Sequence, residues 1–201
     1  MSTTQSRGDL RNYVLVTGAY WADTLADGAS RMLVLFYFYQ LGYSPFEVAS
    51  LFLFYEVFGI VTNLVGGWIA AKLGLKATLF SGLSIQILAL CMLGLAPESW
   101  LVVPYVMASQ ALSGIAKDLT KMSSKSAVKL VVPEDSESSL FKWVAVLTGS
   151  KNALKGVGFF LGGLLLTVIG FQSAMLLLAA MVATALITTA VMMHGGLGRT
   201  D

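Results

Sequence analysis

The chain has 201 residues, 56% of them hydrophobic and only 12% charged, with a mean hydropathy of +0.76. A soluble domain carries about 25% charge, so the composition excludes that class and points to an integral membrane protein. The net charge of +2 is near balance and says little about partners, whereas the placement of the charges says a great deal. The one cysteine, Cys91, leaves no internal disulfide and reads as a small hydrophobe packed in an apolar helix.

Met1 to Arg11 is polar, and no small-residue cleavage site follows a short apolar core, so residues 1-10 are expected to be a cytoplasmic segment rather than a signal peptide. Hydropathy and breakers divide residues 11-193 into six spans at 11-40, 45-72, 77-96, 101-131, 139-169 and 171-193. Each meets the roughly 20 residues that a spanning helix needs. The breaks have local causes: the turn Gly42 to Pro45, the short basic Leu73 to Lys76, Pro97, the polar stretch opened by Pro133, and Gly170. The fold expected is all-α.

If the spans alternate, Arg7, Arg11, Lys72, Lys76, Lys129, Lys142 and Arg199 all fall on one side, and the connections around Gly42, Glu98 and Gly170 carry neither Lys nor Arg. That bias makes the basic side cytoplasmic, both termini included. The acids Glu134, Asp135 and Glu137 also fall inside, where they weigh little. Trp100, Tyr43 and Trp143 sit near span ends and are expected as interfacial anchors. Gly66, Gly67, Gly149, Gly156, Gly158, Gly162 and Gly163 are expected to let helices approach closely. The run Gly156 to Gly163 is also a place where the fifth helix could slide or bend.

Charge inside the spans is the main functional signal. Lys117, Lys121, Lys125 and Lys129 repeat every fourth residue, as do Lys151 and Lys155, so each series forms one stripe on its helix. An ionised side chain at mid-bilayer costs roughly 2.5 to 3.5 kcal/mol even on lenient scales, so these stripes must line something wet or anionic. The first span carries Asp23, Asp27 and Arg31, and the second carries Glu56 and Asn63 on a common face. Counting about 1.5 Å per residue from the cytoplasmic ends places Asp23, Asp27, Glu56, Lys117, Asp118, Lys151 and Lys155 near mid-depth. Lys121 and Lys125 lie nearer the cytoplasm, and Lys125 and Lys129 can snorkel outward.

Acids of the first two spans and lysines of the fourth and fifth could neutralise one another across a shared cavity. Asp27 and Arg31 could instead pair within their own helix at i,i+4. An excess of buried cation implies an anion that comes and goes. The substrate-binding candidates are therefore Lys117, Lys121, Lys151, Lys155 and Asn63. A desolvated carboxylate beside lysines is also what proton coupling exploits, and Asp23, Asp27, Glu56 and Asp118 are the candidates. A weak echo at an offset of ninety, Ala26, Arg31 and Met32 against Ala116, Lys121 and Met122, fits two inverted three-helix repeats.

The connection Gly67-Trp68-Ile69-Ala70-Ala71-Lys72-Leu73-Gly74-Leu75-Lys76 and the glycine-rich fifth span resemble the major facilitator superfamily. Ala71 stands where that loop motif has an acid and Leu75 where it has an arginine, and the fifth span lacks the Gly-Pro pair. Leu41 to Pro45, LFLFYEVFGIVTNLVGGW (51-68), SGIAKDLTKMSSKSAVKLVVP (113-133) and LTGSKNALKGVGFFLGG (147-163) are similar to the ArsJ family. That resemblance implies an efflux permease for 1-arseno-3-phosphoglycerate, made by glyceraldehyde-3-phosphate dehydrogenase from arsenate, with export conferring arsenate resistance. Lysines suit such a guest as point charges for arsenate and phosphate groups.

The superfamily implies twelve spans, so the chain is expected to be an amino-terminal half, residues 194-201 starting a central cytoplasmic loop. A second six-helix half, a homodimer or a truncated gene would follow. The alternative cargo is another phosphorylated organic anion. An intramembrane enzyme is disfavoured, because the sequence has no Ser/His/Asp set, no metal-ligand cluster around the lone His194 and no Walker-type loop. His194 reads as an interfacial residue. The partners expected are the anionic substrate and an inner-membrane bilayer, with no nucleic acid, metal or cofactor.

Overall fold

The computed structural model describes residues 3–129 and 137–193. Expectations at Pro133, Glu134, Asp135, His194 and Arg199 lie outside the described residues. The described residues are helical, without strands: α1 (Thr3–Gln40), α2 (Pro45–Ser50), α3 (Leu53–Leu95), α4 (Val103–Val128), α5 (Glu137–Ile169) and α6 (Phe171–Met192), with a 3-10 turn at Glu98–Trp100. α3 is two helices joined at Gly74, whose φ of 78° and ψ of 166° leave the helical region. With α2 it supplies the second and third crossings, Pro45–Ala70 and Lys72–Leu95. The six expected spans are therefore present. α1 begins at Thr3, inside the segment expected to be polar and separate, because no proline stops the helix before it.

The turns follow from local chemistry. After Gly42, at φ 90°, Ser44 and Glu47 form a capping box: Ser44 N–H donates to Glu47 Oε2 at 2.8 Å, and Pro45 occupies the first turn. Gly170, at φ 78°, reverses the chain between α5 and α6. Four stretches are apolar enough to cross a membrane on composition alone: Pro45–Ala70, Lys72–Leu95, Phe141–Ile169 and Phe171–Met192. α1 and α4 have ample length, but they hold the charges, and both are packed inside.

The packing is reciprocal. α1 lies against α5 and α6, α4 lies against the second and third spans, and the third span meets α6. Exchanging first with fourth, second with fifth and third with sixth maps these contacts onto themselves, as two three-helix repeats require. Glycines set the crossings. A Cβ at Gly158 would sit 2.7 Å from Leu25 O, and one at Gly28 2.9 Å from Lys155 O; Gly162 abuts Ala29 and Gly114 abuts Tyr55. A Cβ at Gly66 would run into Met122 and one at Gly163 would lie 3.6 Å from Phe36, as expected of packing glycines. Gly67, Gly149 and Gly156 do not behave so, since each faces open space.

The two ends differ. At one, Arg11 donates to Met192 O at 2.8 Å, Lys76 approaches Met193 O at 3.4 Å, and Tyr13 meets Trp143 edge-on at 5.2 Å. At the other, Phe171 stacks on Tyr37 at 4.3 Å, and Gln172 donates to Ala96 O at 2.6 Å. Arg11 and Lys76 thus lie at the first end. Trp100 is exposed, and Tyr43, half-buried at the turn after α1, packs edge-on against Phe38. Cys91 is half-buried against that core.

Candidate functional site

Helix periodicity brings the charged positions together between α1, the second span, α4 and α5. Asp23 is buried, and its Oδ2 accepts from Thr120 Oγ1 at 2.6 Å. Asp27 is buried one turn on, where the Tyr55 hydroxyl donates to its two oxygens at 2.7 and 2.9 Å. The within-helix pair Asp27–Arg31 does not form. Arg31 instead reaches across to Glu56 at 3.5 Å and lies over the Tyr55 ring, 4.5 Å from its centroid. The hydroxyl of Tyr55 is the better partner for Asp27 because it approaches head-on from the second span, while the Arg31 guanidinium is drawn to the ring face and to Glu56.

Lys117 Nζ sits 4.1 Å from the same ring centroid. Lys121 pairs with Asp118 at 3.0 Å, i,i+3 on α4, and approaches Asn63 Oδ1 at 3.4 Å. The expected neutralisation of the lysines by acids of the first two spans is therefore not what forms. Those acids go to hydroxyls and to Arg31, and Lys121 takes its acid from its own helix. Among the described residues the ion pairs are Arg31–Glu56 and Lys121–Asp118, so Lys117, Lys151 and Lys155 have no carboxylate within 4.0 Å.

These three lysines are half-buried and are not spread along the lipid face. Lys151 lies within electrostatic reach of Lys121, Lys155 and Lys117, and Lys155 within reach of Asp27, Arg31 and Lys117. Lys125 and Lys129 are exposed toward the basic end, and Asn63 and Glu56 are exposed on the inner side of the second span. Beside Lys151, Ser150 accepts from the Trp21 indole at 3.0 Å, which ties α5 to α1.

The sequence reading missed Tyr55 and Thr120. A tyrosine amid Leu53, Phe54 and Phe58 looks like core, and its spacing from Asp27 is fixed only by the crossing of two helices. The signal that was available is the polar tip itself: a buried tyrosine hydroxyl finds a partner.

The site is thus a charged core inside an apolar six-crossing bundle built as two exchanged three-helix units. The family profile described as Major Facilitator Superfamily matches residues 16–195. The chain belongs to that superfamily. No curated protein matches the chain.

Solved structures with the same fold include peptide transporter POT in complex with sulfate, with TM-score 0.76 and 14% identity over 93% of this chain and 40% of that one. A POT family transporter in complex with a thioalcohol-conjugated peptide gives 0.79 and 17% over 95% and 40%. Another, with 5-aminolevulinic acid, gives 0.75 and 18% over 90% and 38%. The chain thus spans about 40% of the length of these transporters.

Proposed function

We propose that this chain is the amino-terminal half of an exporter for a small polyanion, and that its cargo is an organoarsenical of the 1-arseno-3-phosphoglycerate type. The observation that carries the proposal is Lys117, Lys151 and Lys155: half-buried ammonium groups on two facing helices, without a carboxylate partner among the described residues. Retaining such charges is costly unless a guest neutralises them. Lys121 and Asn63 complete the binding surface. An acid among Asp23, Asp27, Glu56 and Asp118 couples release to inward proton flow. The basic end, with Arg11, Lys76 and Lys129, faces the cytoplasm of the inner membrane.

The resemblance of residues 51-68, 113-133 and 147-163 to the ArsJ family supports the arsenical cargo, with glyceraldehyde-3-phosphate dehydrogenase as its source. Arsenate resistance of cells and uptake into everted vesicles test it together. Lys117→Ala and Lys151→Ala are expected to abolish both; wild-type behaviour of either variant overturns the binding assignment. A vesicle that carries another phosphorylated anion and no arsenical keeps the transporter and replaces its cargo. The coverage of about 40% favours a second reading, that a complementary six-helix half is required. Rescue of resistance only on co-expression with that half supports it.

A further inference from the structure

α1 has a second functional face. Gly18 and Asp23 are five residues apart, about 140° round the helix, so the stripe that contains Gly18 looks away from the charged site. That stripe is Arg11, Val14, Leu15 and Gly18, at i, i+3, i+4 and i+7. Its apolar members and Thr184, Ala185 and Thr188 of α6 wall a groove of about 310 Å³. Val14 is 59% exposed, and a Cβ at Gly18 would meet nothing within 4 Å, so the floor of the groove is open. Thr184 Oγ1 donates to Ala180 O at 2.8 Å and Thr189 Oγ1 to Ala185 O at 2.7 Å, which turns these hydroxyls onto their own helix and keeps the wall apolar.

The groove ends in cations. One turn before Val14, Arg11 crosses from α1 to α6 and donates through Nη2 to Met192 O at 2.8 Å. From the third span Lys76 Nζ reaches the next carbonyl, Met193 O, at 3.4 Å. α6 has no basic residue in its own last turn, so these two side chains cap it. A helix end carries only about half a negative charge. Two full cations exceed it, and neither belongs to an ion pair among the described residues. Arg11 is exposed and has five donors, of which Met192 O engages one. An anion level with the end of α6 balances the excess, and an apolar tail continuing from that anion lies in the groove. At a membrane surface one kind of molecule has both parts.

We propose that the α1–α6 groove is a site for an anionic glycerophospholipid, with its phosphate on Arg11 and Lys76 and one acyl chain over Gly18. The site is separate from the anion site between α1, the second span, α4 and α5, and it does not depend on the cargo. Arg11 and Lys76 select the charged head, and the missing side chain at Gly18 makes room for the tail.

Native mass spectrometry of the chain released from neutral-detergent micelles reads the retained lipid. The micelles hold equal amounts of dioleoyl phosphatidylglycerol and dioleoyl phosphatidylcholine, which share their tails and differ in net charge. Phosphatidylglycerol is expected to be retained at least about tenfold more than phosphatidylcholine. Arg11→Gln and Lys76→Gln are each expected to lower that preference by about threefold to fivefold, and Arg11→Lys, which keeps the charge, to restore most of it. Gly18→Leu fills the groove without touching the cations, and is expected to lower retention of both lipids at least about threefold. Gly156→Leu, facing open space on α5, is its control and is expected to retain lipid as the wild type does. Glycerol phosphate, a head without tails, is expected to leave the bound phosphatidylglycerol in place. Equal retention of the two lipids by the wild type, or an unchanged preference in either Gln variant, overturns the headgroup site. Full retention in Gly18→Leu, or displacement by glycerol phosphate, overturns the groove, and this arm stands even where loss of the α6 cap unfolds Arg11→Gln.

Discussion

α1 and α5 carry charge in the same rhythm, Asp23, Asp27 and Arg31 on one and Lys151 and Lys155 on the other, each four residues apart. Each of these three on α1 meets a side chain from another helix: Thr120 at 2.6 Å, Tyr55 at 2.7 and 2.9 Å, Glu56 at 3.5 Å. On α5, among the described residues, neither lysine meets a carboxylate. Equal spacing thus serves two purposes. Charges answered by a neighbouring helix hold the bundle together, and charges left unanswered are available to a guest. What a buried charge does is read from its partners, and the periodicity shows only that it shares a face with others.

The largest effect is expected where the two helices touch. A side chain at Gly158 collides with backbone, Leu25 O at 2.7 Å from its Cβ and Ala29 N at 3.1 Å, so neither partner can yield as a flexible side chain would. Overpacking of this kind costs about 1–3 kcal/mol or more, and Gly158→Leu is expected to lower the melting temperature by up to about 10 °C. Gly156→Leu, facing open space, is its control and is expected to melt with the wild type. Equal melting of the two variants in nanodiscs would dissolve the close crossing of α1 and α5.

Next comes the contrast itself. Asp27→Ala leaves the Tyr55 hydroxyl buried without its acceptor, a loss of about 1–3 kcal/mol, seen as a lower melting temperature. Lys151→Ala and Lys155→Ala remove charges that no carboxylate among the described residues answers, so melting is expected to hold or rise while anion export falls at least about tenfold. A melting loss in Lys155→Ala equal to that of Asp27→Ala would erase the distinction between the helices.

Much of this was legible in the chain, because membranes leave few options. The six crossings follow from apolar length and from breakers whose backbone proves to be special, Gly42, Gly74 and Gly170 all having positive φ. The lysine stripes were legible because charge within a span is rare. What stayed hidden depends on how two helices cross. Gly28 and Gly114 look like any glycine until Lys155 and Tyr55 press on them, whereas Gly149, and Gly156 in the richest glycine run, face open space. The acid pairings were hidden for the same reason: hydroxyls of Thr120 and Tyr55, on α4 and the second span, took the places that lysines and Arg31 were expected to fill.

The smallest effect belongs to the weakest answer on α1. Arg31 and Glu56 meet at 3.5 Å through one contact, with side chains 23% and 56% exposed. Such pairs contribute about 0–1 kcal/mol, so a double-mutant cycle of Arg31→Ala with Glu56→Ala is expected to return a melting coupling at the bottom of that range. A coupling of several kcal/mol would instead rank Arg31 and Glu56 with the firmest of the contacts that hold the bundle.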